Sequence, residues 1–492
     1  MKAYKFINVL ILISIFLVGC DDLDYKPIDQ LDESMVVGDT DLLQNVTYGT
    51  YSKLKIRNYL RYCRYAKELM SDDVILVKTT GDHLMQTYNY GHTVNSNVSR
   101  LVWTIGYQAI YTANKVIDAI DENDPDPKLN QLLGENIFLR ALIHHDLVRI
   151  FGRPYTNGDP SKNLGVMIRD NIDPTDLPPR STVKECYDFI VADLLKAATL
   201  MTDPKPAIYA SKEVAYALLA RIYIYMADYD NAIKYADLVI NSGRYELLRD
   251  NDYKKYFTFI PEENKETIFA IKLLATENQR KGSVGSMFNG FGGWGELYVS
   301  PSYRKLIYKY SNDARINFIQ PHYKGNKIPD PTEDCGFKVQ KRNGLSKYYN
   351  VKYTMEDGIP MLASIIRLRL AEMYLIKAEA YAKKGDDSKA IEIVDFLRQR
   401  AGLTGNQLFS NDMQGYTSTM DIVMDELRLE FAWEGHRSYD VYRNNRTMDR
   451  TYLPPDVAWH GPRIIEPTSK AIVHLIPESE IILNPNLVQN PF

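Results

Sequence analysis

The chain carries little of what covalent, redox or metal chemistry needs. Its 492 residues include four cysteines, Cys20, Cys63, Cys186 and Cys335. They are far apart and form no C-x-x-C pair, so neither a disulfide framework nor a zinc site is expected. Cys63, Cys186 and Cys335 read as small apolar core residues. Neither sign of charge dominates: 59 Lys and Arg against 63 Asp and Glu leave a net −4. No basic block is present to neutralise a phosphate backbone, which argues against a nucleic-acid partner. Beyond residue 20 no apolar run reaches the length of a bilayer span. There is no G-x-S-x-G elbow. The glycines around Trp294 are followed by no Lys-Ser/Thr, so they make no phosphate loop. His144-His145 lacks the spacing of a zinc protease. Asp121 to Asp126 is acidic enough for calcium but puts Pro125 at a ligand position and lacks the glycine turn, so it reads as an interhelical loop. No catalytic residue, metal or cofactor is therefore expected.

What is present begins at the N-terminus. Lys2 and Lys5 precede an apolar run, Phe6 to Val18, too short to span a bilayer comfortably. Gly19-Cys20 follows, and the sequence then turns polar at Asp21-Asp22-Leu23-Asp24. The order resembles a bacterial lipoprotein signal, cut before Cys20, with lipid then attached to that cysteine. Residues 1–19 are thus expected to be a signal peptide, and the lipid to be the membrane attachment.

Long stretches carry helical periodicity with short polar breaks: Leu101 to Ile120, Gly134 to Phe151, Thr182 to Leu200 entered through Ser181, Val214 to Ile240, Ile365 to Arg400, and Met420 to Arg443. Two of them match. Tyr216, Ala220, Tyr223 and Ala232 stand at the same spacings as Tyr374, Ala378, Tyr381 and Ala390, the pattern of a tetratricopeptide hairpin. The small residue lets the second helix approach the first. Asp230 or Asn231, and Asp387 or Ser388, are the candidate caps. Gly134 to Gly152 is a candidate third unit. The fold class expected is mostly α, a tetratricopeptide-like helical-repeat scaffold with an irregular, loop-rich ligand-binding half. From Tyr245 to about Pro360 the helical period fades and Gly, Asn, Pro and Tyr rise, as in loops.

Tyrosine is the compositional anomaly, 36 against 16 phenylalanines. A tyrosine joins an apolar face to a polar tip, which suits both helix packing and sugar stacking. Phe288, Phe291, Trp294 and Tyr298 share one glycine-rich loop, and a second irregular loop, Thr79 to Ser99, centres on Tyr88-Asn89-Tyr90. A pyranose stacks its C–H face on a ring and bonds its hydroxyl rim to side chains such as Asn289, Glu296, Asn89 or Asp82. The candidate ligand-binding residues are Trp294, Tyr298, Phe291, Asn289, Tyr88, Asn89 and Tyr90. The alternative is that these rings only pin the loop to the scaffold. In the C-terminal third, Glu426, Arg428, Glu430, Glu434, His436, Arg437, Asp440 and Arg443 interleave opposite charges, which points to structural ion pairs rather than a catalytic carboxylate pair.

Taken together these segments resemble the SusD/RagB family of Bacteroidetes outer-membrane lipoproteins. The resemblance rests on Glu68 with Ser71-Asp72-Asp73, Trp103 and Tyr107, Arg140-Ala141, and the run Arg369 to Ala380. It extends through Glu430-Phe431-Ala432 with Glu434 to Arg437, and through the tail from Ile476-Pro477 to Asn490-Pro491. It implies an N-terminal helical region over 20–244 and a C-terminal region over 245–492. The latter comprises a loop-rich insertion (245–360) followed by a helical repeat and cap (361–492). It further implies lipid anchoring at the outer membrane with display at the cell surface, a SusC-like TonB-dependent β-barrel as partner, capture of an oligosaccharide or, as in RagB-like members, a peptide, and no catalysis. A helical-repeat scaffold with no small ligand is the remaining alternative.

Overall fold

The computed structural model describes residues 39–77, 83–323, 338–453 and 461–491. Cys20, Asp82 and Cys335 lie outside the described residues. Most of the chain is helical. The first half comprises α1 (Thr40–Leu54), α2 (Arg57–Glu68), α3 (His83–Tyr88), α4 (Asn97–Ala119), α5 (Pro127–Phe151), α6 (Val183–Leu200), α7 (Lys212–Tyr225) and α8 (Tyr229–Ile240). The second half adds α9 (Pro301–Ile307), α10 (Leu370–Lys384), α11 (Asp387–Arg400), α12 (Thr419–Phe431), α13 (Arg437–Arg443) and α14 (Glu478–Leu483). Short side-chain caps start several of them. Asp39 accepts from the N–H groups of Asp41 and Leu42, and Asp126 from Lys128 at the head of α5, satisfying donors that the helix cannot. The acidic stretch Asp121 to Asp126 is thus an interhelical turn with a cap at its end. At α6 the cap is Thr182 rather than Ser181. Thr182 and Glu185 exchange bonds in a capping box, with Thr182 N donating to Glu185 Oε2 at 2.7 Å.

The matched segments are two helical hairpins, α7–α8 and α10–α11, packed with α8 against α10. Ala220, Ala232, Ala378 and Ala390 are all fully buried, as close helix approach requires. Arg221 of α7 donates to Glu372 of α10 at 2.5 and 2.6 Å, joining one hairpin to the next. The caps fall one to three residues before the expected positions: Asp228 accepts from Asn231 N at 3.1 Å and Asp386 from Lys389 N at 3.2 Å. An aspartate placed before the helix can aim its carboxylate at the open N–H of the third helical residue, whereas one already inside the first turn cannot. The expected helix from Ile365 also begins late. Ile365–Arg369 is a strand, because it pairs antiparallel with Thr267–Ile271 across the chain; a β-branched, apolar run serves either state until a partner strand decides.

The region between the hairpins is held by small antiparallel pairs. β1 (Val74–Leu76) pairs with β3 (Leu297–Val299), placing Ile75 opposite Tyr298. β2 is Thr267–Ile271 and its partner β8 is Ile365–Arg369. β4 (Ile319–Pro321) pairs with β7 (Tyr348–Asn350), Gln320 opposite Tyr349. Between them β5 (Lys341–Arg342) and β6 (Leu345–Ser346) form a hairpin around Asn343-Gly344, whose positive φ angles of 49° and 79° suit a tight turn. Strands this short are not stable alone; the helices on which they sit hold them.

The two hairpin turns share a backbone bond, Asp228 N to Tyr223 O and Asp386 N to Tyr381 O, each 2.9 Å. Both turns need a left-handed residue in the same place. One uses Gly385 (φ 80°) and the other Ala227 (φ 61°), and only glycine takes that conformation without steric cost. Ala227→Gly is expected to raise stability by about 0.5–1 kcal/mol and Gly385→Ala to lower it by about 1 kcal/mol, read as opposite shifts of the urea midpoint at unchanged m-value.

Candidate functional site

The interleaved charges of the C-terminal third are interior. Arg369, where β8 meets α10, donates to Glu430 (2.6 Å) and Glu434 (3.0 Å) and pairs with Glu266 (3.3 Å). Arg400 bridges Glu266 (2.9 Å) and Glu430 (2.5 Å). Arg315 pairs with Asp313 and Glu426, Arg398 with Glu426, and Lys352 with Glu434. All of these side chains are buried. Burial alone would raise the Glu430 carboxyl, but Arg400, Arg369 and Arg315 overcome it and hold it well below the usual carboxylate range. Glu434 is likewise held low by Arg369 and Lys352 against burial. A carboxylate that is saturated by guanidinium groups and shut from solvent has no proton to give and no path to a substrate, so this cluster is structural. Arg428 and Arg437 pair with Asp72 and Asp73, and Arg443 with Glu379 and Asp440. Burial also pushes the His436 imidazole well below its ordinary pKa, with Arg221 and Arg149 adding to the effect. His144 is a satisfied core residue: its Nδ1 lies 2.9 Å from the Arg140 carbonyl and its Nε2 accepts from Arg169 N.

The glycine-rich loop is curled on itself. The Ser286 carbonyl accepts from both Trp294 N (2.7 Å) and Gly295 N (3.1 Å), and the Met287 carbonyl from Glu296 N (2.9 Å). Gly293 must be glycine, since a Cβ there would sit 2.3 Å from the Ser286 oxygen and 2.4 Å from the Asn289 oxygen. The curl sends the rings in alternate directions. Phe288 is buried against Tyr65. Phe291 and Trp294 are 43% and 54% exposed. Phe291 rests on His322 (4.9 Å) and Tyr349 (5.8 Å), and Tyr349 in turn on Tyr298 (5.5 Å). The Trp294 indole N–H donates to the Lys281 carbonyl at 3.0 Å, and the Lys281 ammonium stands 5.0 Å from the ring. Glu296 is half-buried, 3.9 Å from the Arg342 guanidinium.

Four of the expected ligand residues do not face outward. Tyr298 is buried because it belongs to β3 and packs with Val77 and Tyr349. Asn289 is buried, its Oδ1 accepting from Phe291 N at 2.6 Å, so it shapes the loop. The segment around Tyr88 is helix α3 rather than irregular loop. Tyr88 is buried beneath the Arg450 guanidinium, 4.0 Å away, and Tyr90 is buried with its hydroxyl bonded to Tyr442 at 2.6 Å. Asn89, between them, is partly exposed. The structure thus gathers Phe291, His322 and Tyr349 into one patch, places the exposed Trp294 three residues further along the same loop, and sets Tyr88 and Tyr90 in another cluster. His322 and Tyr349 were not anticipated; they reach the patch through the β4–β7 pairing, which no local pattern announces.

A separate cleft of about 530 Å³ lies between α4, the 167–178 segment and α14. Trp103, Tyr107, Met167, Leu177 and Leu483 are among its walls, and nothing from 283–298 lines it. The buried Trp103 indole N–H has no hydrogen-bond partner among the described residues.

The described helices thus form a platform that carries exposed rings on one loop and keeps its charge cluster in the interior. The chain belongs to the SusD family: the family model for SusD matches residues 225–492, and one described as "starch-binding associating with outer membrane" matches 23–224. A SusD-like protein P2 of Formosa agariphila is 26% identical, with 100% of this chain and 99% of the relative covered. A crystal structure of a SusD superfamily protein from Bacteroides thetaiotaomicron superposes with a TM-score of 0.78 at 28% identity, covering 92% of this chain and 100% of that one. A candidate sugar-binding protein from Bacteroides vulgatus gives 0.77 at 26% identity, with 92% and 98% covered.

Glu430 supplies stability at neutral pH that fades on acidification. Its folded-state pKa lies below the unfolded value of about 4.3, so the contribution is complete above that value and is lost as pH falls through the folded one. Glu430→Gln is expected to cost about 3–5 kcal/mol at pH 7, the usual effect of breaking a buried pair. Its urea midpoint should then fall less steeply than the wild type's between pH 5 and pH 3.

Proposed function

We propose that this chain is a lipid-anchored outer-membrane protein that captures oligosaccharides and passes them to a SusC-like TonB-dependent β-barrel. The observation that supports it most is the exposed pair Phe291 and Trp294, carried by a loop whose backbone bonds back to the Ser286 and Met287 carbonyls. Two large exposed rings three residues apart on one loop offer a surface that matches the C–H face of a pyranose. Family membership supports the outer-membrane setting, and the lipoprotein-like sequence at Cys20 supports the anchor; among the described residues no helix is long and apolar enough to cross a membrane. The ring contact positions sugar without bond making or breaking, which suits a protein that must release its cargo unchanged.

The cleft beside α4 favours a second reading, with a peptide as ligand in the manner of RagB. Its aliphatic and aromatic walls suit an apolar side chain better than a hydroxyl rim.

Calorimetry separates the two. Under the oligosaccharide reading Trp294→Ala weakens glycan binding by at least about tenfold, or about 1.4 kcal/mol, while Trp103→Phe leaves it unchanged. Under the peptide reading the pattern reverses, with peptides in place of glycans. For the anchor, Cys20→Ala is expected to abolish incorporation of labelled palmitate and to move the protein out of the membrane fraction; an unchanged membrane fraction overturns lipidation at Cys20.

A further inference from the structure

The aromatic patch is flanked by cations in a chain whose net charge is −4. The described stretch 338–355 contains Lys338, Lys341, Arg342, Lys347 and Lys352 and no Asp or Glu. Lys352 is buried on Glu434, but the others crowd the β5–β6 hairpin and its approach. That hairpin is tied to the patch. His322 N donates to the Lys347 carbonyl at 2.9 Å and Gln340 N to the His322 carbonyl at 2.8 Å, and His322 carries Phe291. Side chains alternate along a strand, and directly opposed residues share a face. Arg342 lies opposite Leu345, and Leu345 packs on the cluster of Val77, Tyr298 and Tyr349. Arg342 therefore faces the patch, and Lys341, opposite Ser346, faces away from it.

Neither of the two nearest cations is spent. Arg342 is 45% exposed, and its 3.9 Å approach to Glu296 is longer than a charge-assisted hydrogen bond, so its fork of donors remains available. Lys281 is exposed and enters no ion pair among the described residues; its ammonium lies over the Trp294 ring, 5.0 Å from the centroid. Phe291 and Trp294 thus offer exposed ring surface, Lys281 adds positive charge over the Trp294 ring, and Arg342 adds it from the neighbouring hairpin. The indole N–H is already bonded, so the patch has little with which to bind a neutral hydroxyl rim and much with which to bind an anion.

Resting on the oligosaccharide reading above, we infer that the platform of Phe291 and Trp294, flanked by Lys281 and Arg342, takes an acidic saccharide, a pyranose stacked on the rings whose carboxylate or sulfate ester lies against the two cations. Arginine suits either group because its paired N–H donors match two oxygens of a carboxylate or sulfate.

The test is calorimetry on the full chain in detergent with three probes of equal length: oligogalacturonate, a sulfated galactan oligosaccharide and a neutral galactan oligosaccharide. The acidic probes are expected to bind at least about tenfold more tightly than the neutral one at low salt, and that preference to shrink several-fold between about 50 and 500 mM NaCl as the Debye length shortens. The double variant K281Q/R342Q should erase the preference, K341Q on the far face should keep it, and W294A should weaken all three probes. Binding of only one acidic probe supports the inference and names the group. Equal binding of neutral and acidic probes overturns the charge selection while leaving the ring-capture reading intact, and so does an equal loss in K341Q and K281Q/R342Q. Failure of all three probes to bind the folded wild type overturns both.

Discussion

The structure depends on a balanced charge cluster in its interior. Five cations, Lys352, Arg315, Arg369, Arg398 and Arg400, meet five carboxylates, Glu266, Asp313, Glu426, Glu430 and Glu434. Such pairs gain little over well-packed apolar residues, because desolvation consumes most of the attraction. What they impose is joint occupancy. Moving one element away leaves an ion buried and unpaired at a cost of several kcal/mol. Arg369 sits where β8 becomes α10, Glu266 precedes β2, Arg400 ends α11, and Glu430 and Glu434 lie at and just beyond the end of α12. The cluster therefore fixes the hairpin α10–α11 against α12 and against the β2–β8 pair in a single arrangement.

That rigidity permits the irregular middle of the chain. Strand pairs of two or three residues gain too little to order a loop unaided. Here they act as clamps between segments already held: β1 to β3 joins residues near 75 to those near 298, and β4 to β7 joins those near 320 to those near 349. The rings of the patch come from these clamped segments, so a surface made of loops keeps a fixed shape.

Much of this was legible in the sequence. The helices, their breaks, the internal hairpin repeat and the structural character of the charges around Glu430 follow from periodicity and spacing, because a helix brings residues three and four apart onto one face. What escaped depends on partners distant in the chain. Ile365–Arg369 is apolar enough for a helix and becomes a strand only because β2 lies beside it. Tyr88, Tyr90 and Tyr298 carry the composition of a binding loop, yet Arg450, Tyr442 and Tyr349 claim them. Loop composition marks where rings gather; it cannot say which of them face out, since that depends on backbone bonds such as Trp294 N to the Ser286 carbonyl.

The same backbone bonds constrain what the patch can recognise. A tryptophan ordinarily contributes both a face and a donor, but Trp294 has given its donor to the Lys281 carbonyl, and Asn289 has given its acceptor to Phe291 N. The loop spends several of its polar atoms on its own shape and so has less hydrogen-bonding capacity to offer a ligand. Burying one large apolar side chain is worth about 1.5–3 kcal/mol, which alone corresponds to weak association once the loss of translational freedom is met. Discrimination among ligands must then come from groups outside the loop. The nearest with donors to offer are Arg342, held opposite Leu345 on the neighbouring hairpin, and Lys281, positioned by the very bond that silences the indole.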